Sequence, residues 1–583
     1  MKTADFIIQL LEEEGVEYMF AIPGGASEDL NIALFNSNKI KVIVAKHEEG
    51  AAFMADGFAR VSGRVGLCAT TSGPGASNLI TGLATSYGDG IPVCAFTGQV
   101  AISLFGKGAF QETGDEAVNI VSIFSNFTKY SCMMLSEERV QYIIQKALRM
   151  AHSHPSGPVH ISLPVDIMKR DAPSRMLKIF RFEEASFNRE GVKATAEKLV
   201  SAKRPVMIAG WGVVLSRGAD ELLYLAEQLN IPVATSPKAK GVFPETHPLS
   251  LGVLGFAGDP AAKEYILEQK PDILLAIGTS FNEFMTDGWD DRLNPKKGLI
   301  HIDVDPEKVG KNYLTTFGVI GDAKAVLTEV RYAVKRKLES DIKIFESFEA
   351  RRRNSESEAK AVKAKHADKD ETEQGKGNGL YHPRDLIKDI QKSFPEDTIY
   401  FAEIGNVLAW SIRHLVLDRP YSFFASLGFG VVGYASAASV GAKLAIKDRP
   451  VVALVGDGSF LMNGFEAATA VNYDVPVVWI IFNNAMYGII HHGRKMFETP
   501  VPEGMVSTFK RVDFSKVAEG LGARAIKIKD PGQITPDLVR DILAQKRPTV
   551  LDVWIDDTIA PPIQSRIKSI DKRKRTESLY PGS

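Results

Sequence analysis

Short apolar runs that end in glycine-rich turns alternate along this chain with stretches whose apolar residues recur every three or four positions. Phe6, Ile7, Leu10 and Leu11 form one helical stripe, and Ala51, Met54, Ala55 and Phe58 form another at i, i+3, i+4, i+7. Between them, residues Ile40 to Ala45 read as a strand. VGLCATTSGPG then runs from strand into a glycine-rich turn, ASNLITGLATSY is helical, and IPVCAFTG is strand again. A second segment, from about 190 to 335, carries the strand-like runs PVMIAGWG, IPVATS, ILLAIGTS and LIHIDVD. A third, from 380 to about 557, carries TIYFAEIG, VVALVGDG, VPVVWIIFNN and TVLDVWID. Near-continuous apolar strands separated by helices predict an α/β chain of parallel sheets covered on both faces.

Composition divides the chain further. At 583 residues it is too long for one core, and about three domains are expected. The pattern assigns residues 1–175 to a first domain, 190–335 to a central Rossmann-like domain and 380–560 to a third. Residues 336–379 are almost all charged or small and read as a solvated helix ending in a flexible linker. Residues 561–583 read as a tail, in which DKRKR (571–575) is solvated rather than a nucleic-acid patch. The formal net charge of −1 argues against nucleic acid or an anionic membrane surface as the main partner. The N-terminal MKTADFIIQLLEEEGVEYMF does not read as a signal peptide, because its short apolar run meets three glutamates at once. No apolar stretch approaches the roughly 18 residues of a membrane span. Cys68, Cys94 and Cys132 cannot all pair with one another and form no CxxC motif, which suits a reducing, cytoplasmic setting.

The densest chemistry lies in VALVGDGSFLMNG, residues 452–464, where an apolar strand runs into an acid held between two glycines. A GDG triplet alone is most often a tight turn. Here the next strand, VPVVWIIFNN, ends in Asn483 and Asn484, so Asp457 and Asn484 are expected at the same carboxyl edge of one parallel sheet. Open α/β sheets bind ligands at that edge. A carboxylate and an amide oxygen are hard ligands of the kind magnesium takes together with waters and phosphates. Gly458 and Ser459 follow, with backbone N–H groups and a hydroxyl suited to phosphate oxygens. In VIVAKHEEGAAFMADGFAR, Glu48 follows a strand and opens a helix, either as a helix-start acid or as a functional one.

The stretch GDGSFLMNGFEAATAVNYDVPVVWIIFNN resembles the signature of thiamine diphosphate enzymes. By that resemblance the chain has three doubly wound parallel-sheet domains, for pyrimidine, centre and diphosphate. Mg²⁺ is then held by Asp457, Asn484 and the carbonyl of Met486 and bridges the diphosphate. Glu48 would be a buried acid that holds a proton at the aminopyrimidine ring. FASLGFGVVGYASAASVGAKLA resembles the family's SGGLGTMGFGLPAAIGA segment, which puts Leu427 under the bent cofactor and Ala425 at the pyrimidine edge. Pro23, Thr71, Asn78, Gly405, Asn406, Gly456, Gly488 and Ile489 complete the implied cofactor set, and Phe110 and Gln111 line the substrate side. In this family the acid comes from one subunit and the diphosphate domain from another, so a homodimer or homotetramer with interfacial sites is implied.

Among thiamine diphosphate enzymes the chain is most similar to the acetolactate synthase branch. AIPGGASEDL, TTSGPGASNLITGLA, GAFQETG, KAKGVFPETHPLSLGVLG and HIDVDPEKVGKN carry that likeness along most of its length. The implied reaction is decarboxylation of a 2-oxo acid, with pyruvate favoured, and transfer of the acyl carbanion to a second carbonyl. Several positions depart from the branch. Gly493 stands where a tryptophan shapes the acceptor pocket, and Asn406-Val407 replaces a Gln-His pair. Ser280 replaces the arginine of flavin-binding members, although HIDVD and GDA still suit FAD or ADP in the central domain. Other expected reactions on the same cofactor are those of a 2-oxo acid decarboxylase or oxidase, a benzaldehyde-lyase-like carboligase or a C–C hydrolase. A non-catalytic homologue is the reading from another class. A separate regulatory subunit stays open. His47 reads as a structural neighbour, and His491 and His492 read either as packed histidines or as groups facing the pocket.

Overall fold

The computed structural model describes residues 1–173, 187–340, 342–367, 379–496, 506–564 and 567. The linker residues 368–378 and the tail residues 568–583, including DKRKR, lie outside the described residues, as does the first domain's expected end at 175.

Three six-stranded sheets, parallel throughout, carry the fold. The first comprises β1 (Tyr18–Ala21), β2 (Lys41–Val44), β3 (Gly66–Thr70), β4 (Val93–Gln99), β5 (Tyr130–Met133) and β6 (Val159–Pro164), in the order β2-β1-β3-β4-β6-β5. The second comprises β7 (Pro205–Ala209), β8 (Val233–Thr235), β9 (Ser250–Val253), β10 (Ile273–Ile277), β11 (Gly298–Asp303) and β12 (Phe317–Ile320), in the order β12-β11-β10-β7-β8-β9. The third comprises β13 (Ile399–Ala402), β14 (Phe423–Phe424), β15 (Val451–Gly456), β16 (Val477–Asn483), β17 (Arg524–Ile528) and β18 (Thr549–Trp554), in the order β14-β13-β15-β16-β18-β17. The first and third sheets therefore share one topology. The expected α/β class with three parallel-sheet units stands. β16 shows why: all seven of its residues are buried, and a strand covered on both faces has no use for alternation.

The helices that position the site are α1 (Glu48–Ser62), α2 (Ile342–Ala367), α3 (Asn406–His414), α4 (Tyr434–Ala445), α5 (Asp457–Asn463) and α6 (Gly488–Met496). Helix α1 of the first unit crosses α4 of the third at glycines. A Cβ built on Gly57 would lie 2.0 Å from the Ala438 carbonyl oxygen, and one on Gly441 would lie 1.8 Å from that of Met54. Only a hydrogen at each position lets the backbones approach so closely. Beside this crossing Arg60 pairs with Asp56 and, at 2.6 Å, with Asp89, while the Tyr434 hydroxyl donates to Asp56 at 2.6 Å. Lys238 of the middle unit and the Gly428 N–H of the third reach the same Asp89. Each buried charge is answered by an opposite one, the condition under which such a network is tolerated.

Helix α2 departs from the solvated helix read over this charged stretch. Phe348, Ala359 and Val362 are buried on it, and the Arg351 guanidinium donates to the carbonyls of Leu199, Ala202 and Leu229. The helix is docked on the middle unit by a narrow apolar stripe that its many charges conceal. ASNLITGLATSY also differs from one helix: Pro74–Ser77 and Ile80–Asp89 are separate pieces, the second ended by Gly90 in the left-handed conformation.

Candidate active site

Strand β15 ends at Gly456, and Asp457 opens α5 with 1 % of its surface exposed. Its Oδ1 accepts the Gly458 N–H at 2.8 Å, and its Oδ2 accepts the N–H groups of Asn484, at 3.0 Å, and Ala485. The GDG and NN segments are thus joined at the carboxyl edge of the third sheet. Burial pushes the Asp457 carboxyl up to about 6, offset in part by its backbone donors and by the charge of Arg511. Ala485 holds a left-handed φ of 58°, sparsely populated for a residue with a Cβ and seen where a loop is over-determined. The pinning comes from residues 506–509: Tyr487 N–H donates to Ser507, Phe509 N–H donates to Ala485, and Met486 bridges Thr508. Tyr487 lies across Gly458, where a Cβ would meet its ring at 2.8 Å.

Other expected residues of this half surround the same edge. Gly405, at φ 130°, turns the chain from β13 into α3, and Asn406 is 6 % exposed. Gly488 brings Asn406 and Asn484 together, since a Cβ there would lie 2.5 Å from one amide nitrogen and 3.2 Å from the other. Ser459, Ala425, Leu427 and Met486 are buried, and Ile489 is half-buried. Gly493 is buried on α6, and its nearest neighbour for a Cβ would be Ile567 Cδ1 at 3.9 Å. His491 pairs with Ser507 at 3.0 Å, whereas His492 turns inward to Asn406.

Glu48, Thr71, Asn78, Pro23 and Gln111 gather at the carboxyl edge of the first sheet. Asn78 Nδ2 donates to Glu48 Oε2 at 2.9 Å. Gly24, next to Pro23, packs so tightly on Thr71 that a Cβ would fall 2.5 Å from Thr71 Cβ, and Gly73 does the same to Gln111 at 2.8 Å. His47 is the N-cap of α1, its Nδ1 accepting the Glu49 N–H at 3.1 Å. Two expectations change. Glu48 is half-buried rather than enclosed, and Phe110 is 87 % exposed.

Packing between the units fixes where the two edges lie in the chain. Glu466 accepts the backbone N–H groups of Lys46 and His47 at 3.0 Å, and Asn463 Nδ2 donates to Glu49 at 3.1 Å. The start of α1 therefore sits at the C-terminal end of α5. Asp457 sits at the other end of that helix, roughly 10 Å along its axis.

A cleft of about 370 Å³ opens at the carboxyl ends of β7, β10 and β11, walled as well by Tyr87, Asp89 and Lys129 of the first unit and Leu427 of the third. Gly212 and Gly278 touch there, a Cβ on the second falling 2.6 Å from the Cα of the first. Asp303 ends β11, and burial pushes its carboxyl up to about 6. Ser280 lines this cleft.

Several functional candidates have no sequence signature. Glu403, at the end of β13, is fully buried, accepts the N–H groups of Ile404 and Ala435, and is pushed up to about 7 by burial. Its one visible trace is an acid closing the apolar run TIYFAE. Asn406 and His492 are each marked in the sequence but their pairing is not, and Glu466 carries no trace.

The residues present fit a magnesium-bridged diphosphate. Asp457 is a buried carboxyl that accepts hydrogen bonds from backbone N–H groups, and Asn406 Oδ1, Ser426 Oγ and Thr71 Oγ1 are buried polar atoms without partners. Among the described residues no group of three or more His, Cys, Asp or Glu side chains could hold a metal. One carboxylate with amide, carbonyl and phosphate oxygens is the set magnesium accepts.

Comparison with known proteins agrees across the chain. Residues 1–119 match the family model described as thiamine pyrophosphate enzyme, N-terminal TPP binding domain. Residues 192–330 match the central domain and 403–553 the C-terminal TPP binding domain of the same enzymes. A probable acetolactate synthase large subunit of Methanocaldococcus jannaschii is 36 % identical over 97 % of this chain and 93 % of its own. An acetolactate synthase of Mycobacterium bovis is 32 % identical over 94 % and 87 %, and an acetolactate synthase large subunit of Corynebacterium glutamicum is 31 % identical over 96 % and 87 %.

Proposed function

The chain belongs to the thiamine pyrophosphate enzyme family, and on that premise we propose that it is an acetolactate-synthase-type carboligase. It decarboxylates a 2-oxo acid, pyruvate foremost, and joins the acyl unit to a second carbonyl. The observation that carries the site is the junction of Asp457 with the Asn484–Ala485 turn. Asp457, Asn484 and the Met486 carbonyl would hold Mg²⁺, with Gly456, Gly458, Ser459, Gly405, Asn406, Gly488 and Ile489 around the diphosphate. When bound, thiamine diphosphate supplies the electron sink for the pair left behind by CO₂. Glu48, steadied through Oε2 by Asn78, keeps Oε1 available to hold a proton at the aminopyrimidine ring nitrogen. Leu427 would support the bound cofactor, Ala425, Thr71 and Pro23 would border its pyrimidine, and Phe110 and Gln111 would lie on the substrate side.

We assign the working form as a homodimer or homotetramer, in which Glu48 of one copy faces Asp457 of another. The distance between the two halves in one chain supports this, as do Leu461, Met462 and Phe465, exposed by 43, 50 and 56 % beside the start of α1. An adenine nucleotide, FAD or ADP, is assigned to the middle cleft on Asp303, since an acid at a strand end suits a ribose. A cytoplasmic location is supported by three free cysteines. Among the described residues no helix is long and apolar enough to cross a membrane.

The test is NMR product analysis after incubating the protein with pyruvate, thiamine diphosphate and Mg²⁺. Acetolactate is expected. Acetaldehyde or acetate as the sole product, or no turnover, would overturn the carboligase reading and direct the search to acceptors that the space beside Gly493 admits.

A further inference from the structure

The turn that follows β16 is fastened by a second stretch of chain, and one of the fastenings is a side chain. Residues 507, 509 and 511 meet residues 487, 485 and 483 in antiparallel order. Tyr487 N–H donates to the Ser507 carbonyl at 2.8 Å, and Phe509 N–H donates to the Ala485 carbonyl at 3.0 Å. At the third step the donor is the Arg511 guanidinium, whose Nη1 bonds the carbonyl oxygen of Asn483 and lies 3.4 Å from its Oδ1. Ile555 N–H also donates to that carbonyl, at 3.2 Å. The guanidinium lies over the ring of Trp554, 4.8 Å from its centre, and Trp554 is the residue that pairs with Asn483 in the sheet. A planar guanidinium stacks on an indole as a compact ammonium does not, so Arg511 is held beside the carbonyl it bonds.

That carbonyl is one end of a peptide group whose other end faces Asp457. The oxygen of the peptide belongs to Asn483 and its N–H to Asn484, which donates to Asp457 Oδ2 at 3.0 Å. A charge-assisted bond to the oxygen polarises the peptide and makes its N–H a stronger donor. The Asn483 side chain is occupied elsewhere: its Nδ2 donates to Asp552 Oδ1 at 2.7 Å and to the Val512 carbonyl at 2.9 Å. Asp552 therefore holds Asn483 by its side chain, Arg511 holds it by its backbone, and Asn484 is the asparagine left for the edge.

We propose that Arg511 is a positioning residue for the magnesium site, orienting the Asn483–Asn484 peptide so that Asp457 and Asn484 are in place before the cation arrives. The proposal rests on the reading of this edge as a thiamine diphosphate and Mg²⁺ site. Two effects of Arg511 oppose each other there. Its positive charge repels Mg²⁺, whereas its bond to the turn favours Mg²⁺ by fixing the ligands in advance. Arg511 is half-buried, so solvent and salt screen the repulsion, but they do not weaken the bond to a buried peptide in the same measure. Positioning wins, and removing the residue should weaken Mg²⁺ binding rather than strengthen it.

Calorimetric titration of the full-length protein with Mg²⁺ at saturating thiamine diphosphate, well below the melting temperature, tests this. Arg511→Met should bind Mg²⁺ about tenfold more weakly than wild type, the worth of roughly one charge-assisted hydrogen bond. Arg511→Lys keeps the charge but has no plane to lay on Trp554; it should lose about threefold or more, and it carries the comparison if Arg511→Met does not fold. Lys529→Met supplies the control, because that exposed lysine lies over the same ring at 4.5 Å, and its removal should leave the affinity within about twofold. A merely structural role for Arg511 would lower the melting point of the cofactor-free protein and leave Mg²⁺ affinity unmoved. Affinity equal to wild type in the arginine variants would overturn the proposal, and so would a higher one, the sign that charge repulsion is the larger effect. An equal loss in Lys529→Met would overturn it too, by tracing the effect to charge beside Trp554 rather than to the bond. Absence of Mg²⁺-dependent thiamine diphosphate binding in the wild type would overturn the reading of the site itself, and the proposal with it.

Discussion

Replacing Gly57 by Ala adds one methyl group to α1, and the geometry says what it must displace. The new carbon would stand 2.0 Å from the Ala438 carbonyl oxygen, 2.7 Å from its carbon and 2.9 Å from its Cα. All three atoms are backbone, so no rotamer change relieves the clash, and α1 and α4 must separate by about 1 Å or more. Overpacking of this kind costs about 1–3 kcal/mol. Separation also strains the Tyr434–Asp56 hydrogen bond and the edge-on contact of Phe53 with Tyr434 at 5.4 Å. Set against this is the gain of up to about 1 kcal/mol that alanine brings to a helix. Gly520 supplies the control: it is also helical, and a Cβ there would meet nothing within 4 Å. With thiamine diphosphate and Mg²⁺ present, Gly57→Ala should melt roughly 5 °C below Gly520→Ala, at about 2–4 °C per kcal/mol for a unit of this size. Its cofactor affinity should fall too, because α1 begins at Glu48 and α4 follows Leu427. Melting points within a degree of each other would show that the helices do not touch as described.

Glu48→Gln should lower turnover by about 10²–10⁴ while calorimetry finds thiamine diphosphate binding within a few-fold of wild type; turnover within tenfold would remove Glu48 from the chemistry. Asp457→Asn should weaken Mg²⁺-dependent cofactor binding by about tenfold or more, some 1.4 kcal/mol, and an unchanged titration would mean that the cation lies elsewhere. Glu403 titrates near 7 in the fold against 4.5 when free, so its neutral form is the one the fold prefers. That preference is complete below pH 4.5 and is lost as the pH rises through 7, on the order of 3 kcal/mol in all. Glu403→Gln should therefore melt close to wild type at pH 5 and above it at pH 8, and parallel melting curves across this range would refute the assignment.

What the sequence revealed depended on how far apart the cooperating residues lie. β15 and β16 were legible because strands buried on both faces must be apolar throughout, and Asp457 and Asn484 could then be placed at their ends by counting. β5, β12 and β17 were not: all three are edge strands, β5 and β17 mix polar with apolar side chains, and β12 is only four residues interrupted by Gly318. Helix α2 shows the same limit from the other side: Phe348, Ser355, Ala359 and Val362, at i, i+7, i+11 and i+14, are the buried stripe of a helix that composition alone marks as solvated. Glu48 was legible as an acid opening an apolar helix, and only the GDG and NN segments set it apart from an ordinary helix-start acid. Its orientation by Asn78, 30 residues away, could not be read, and neither could the separation of Glu48 from Asp457. That separation follows from the crossing of α1 with α4 and from Glu466 reaching back 420 residues to the Lys46 N–H. The strands of the first and third sheets run in the same order, so one folding pattern delivers Glu48 to one edge and Asp457 to another. Relative placement of the two is set by packing between units, and packing between units leaves no period in the chain. A motif announces which atoms are available for the chemistry, while the packing that sets the start of α1 at one end of α5 and Asp457 at the other decides where those atoms stand.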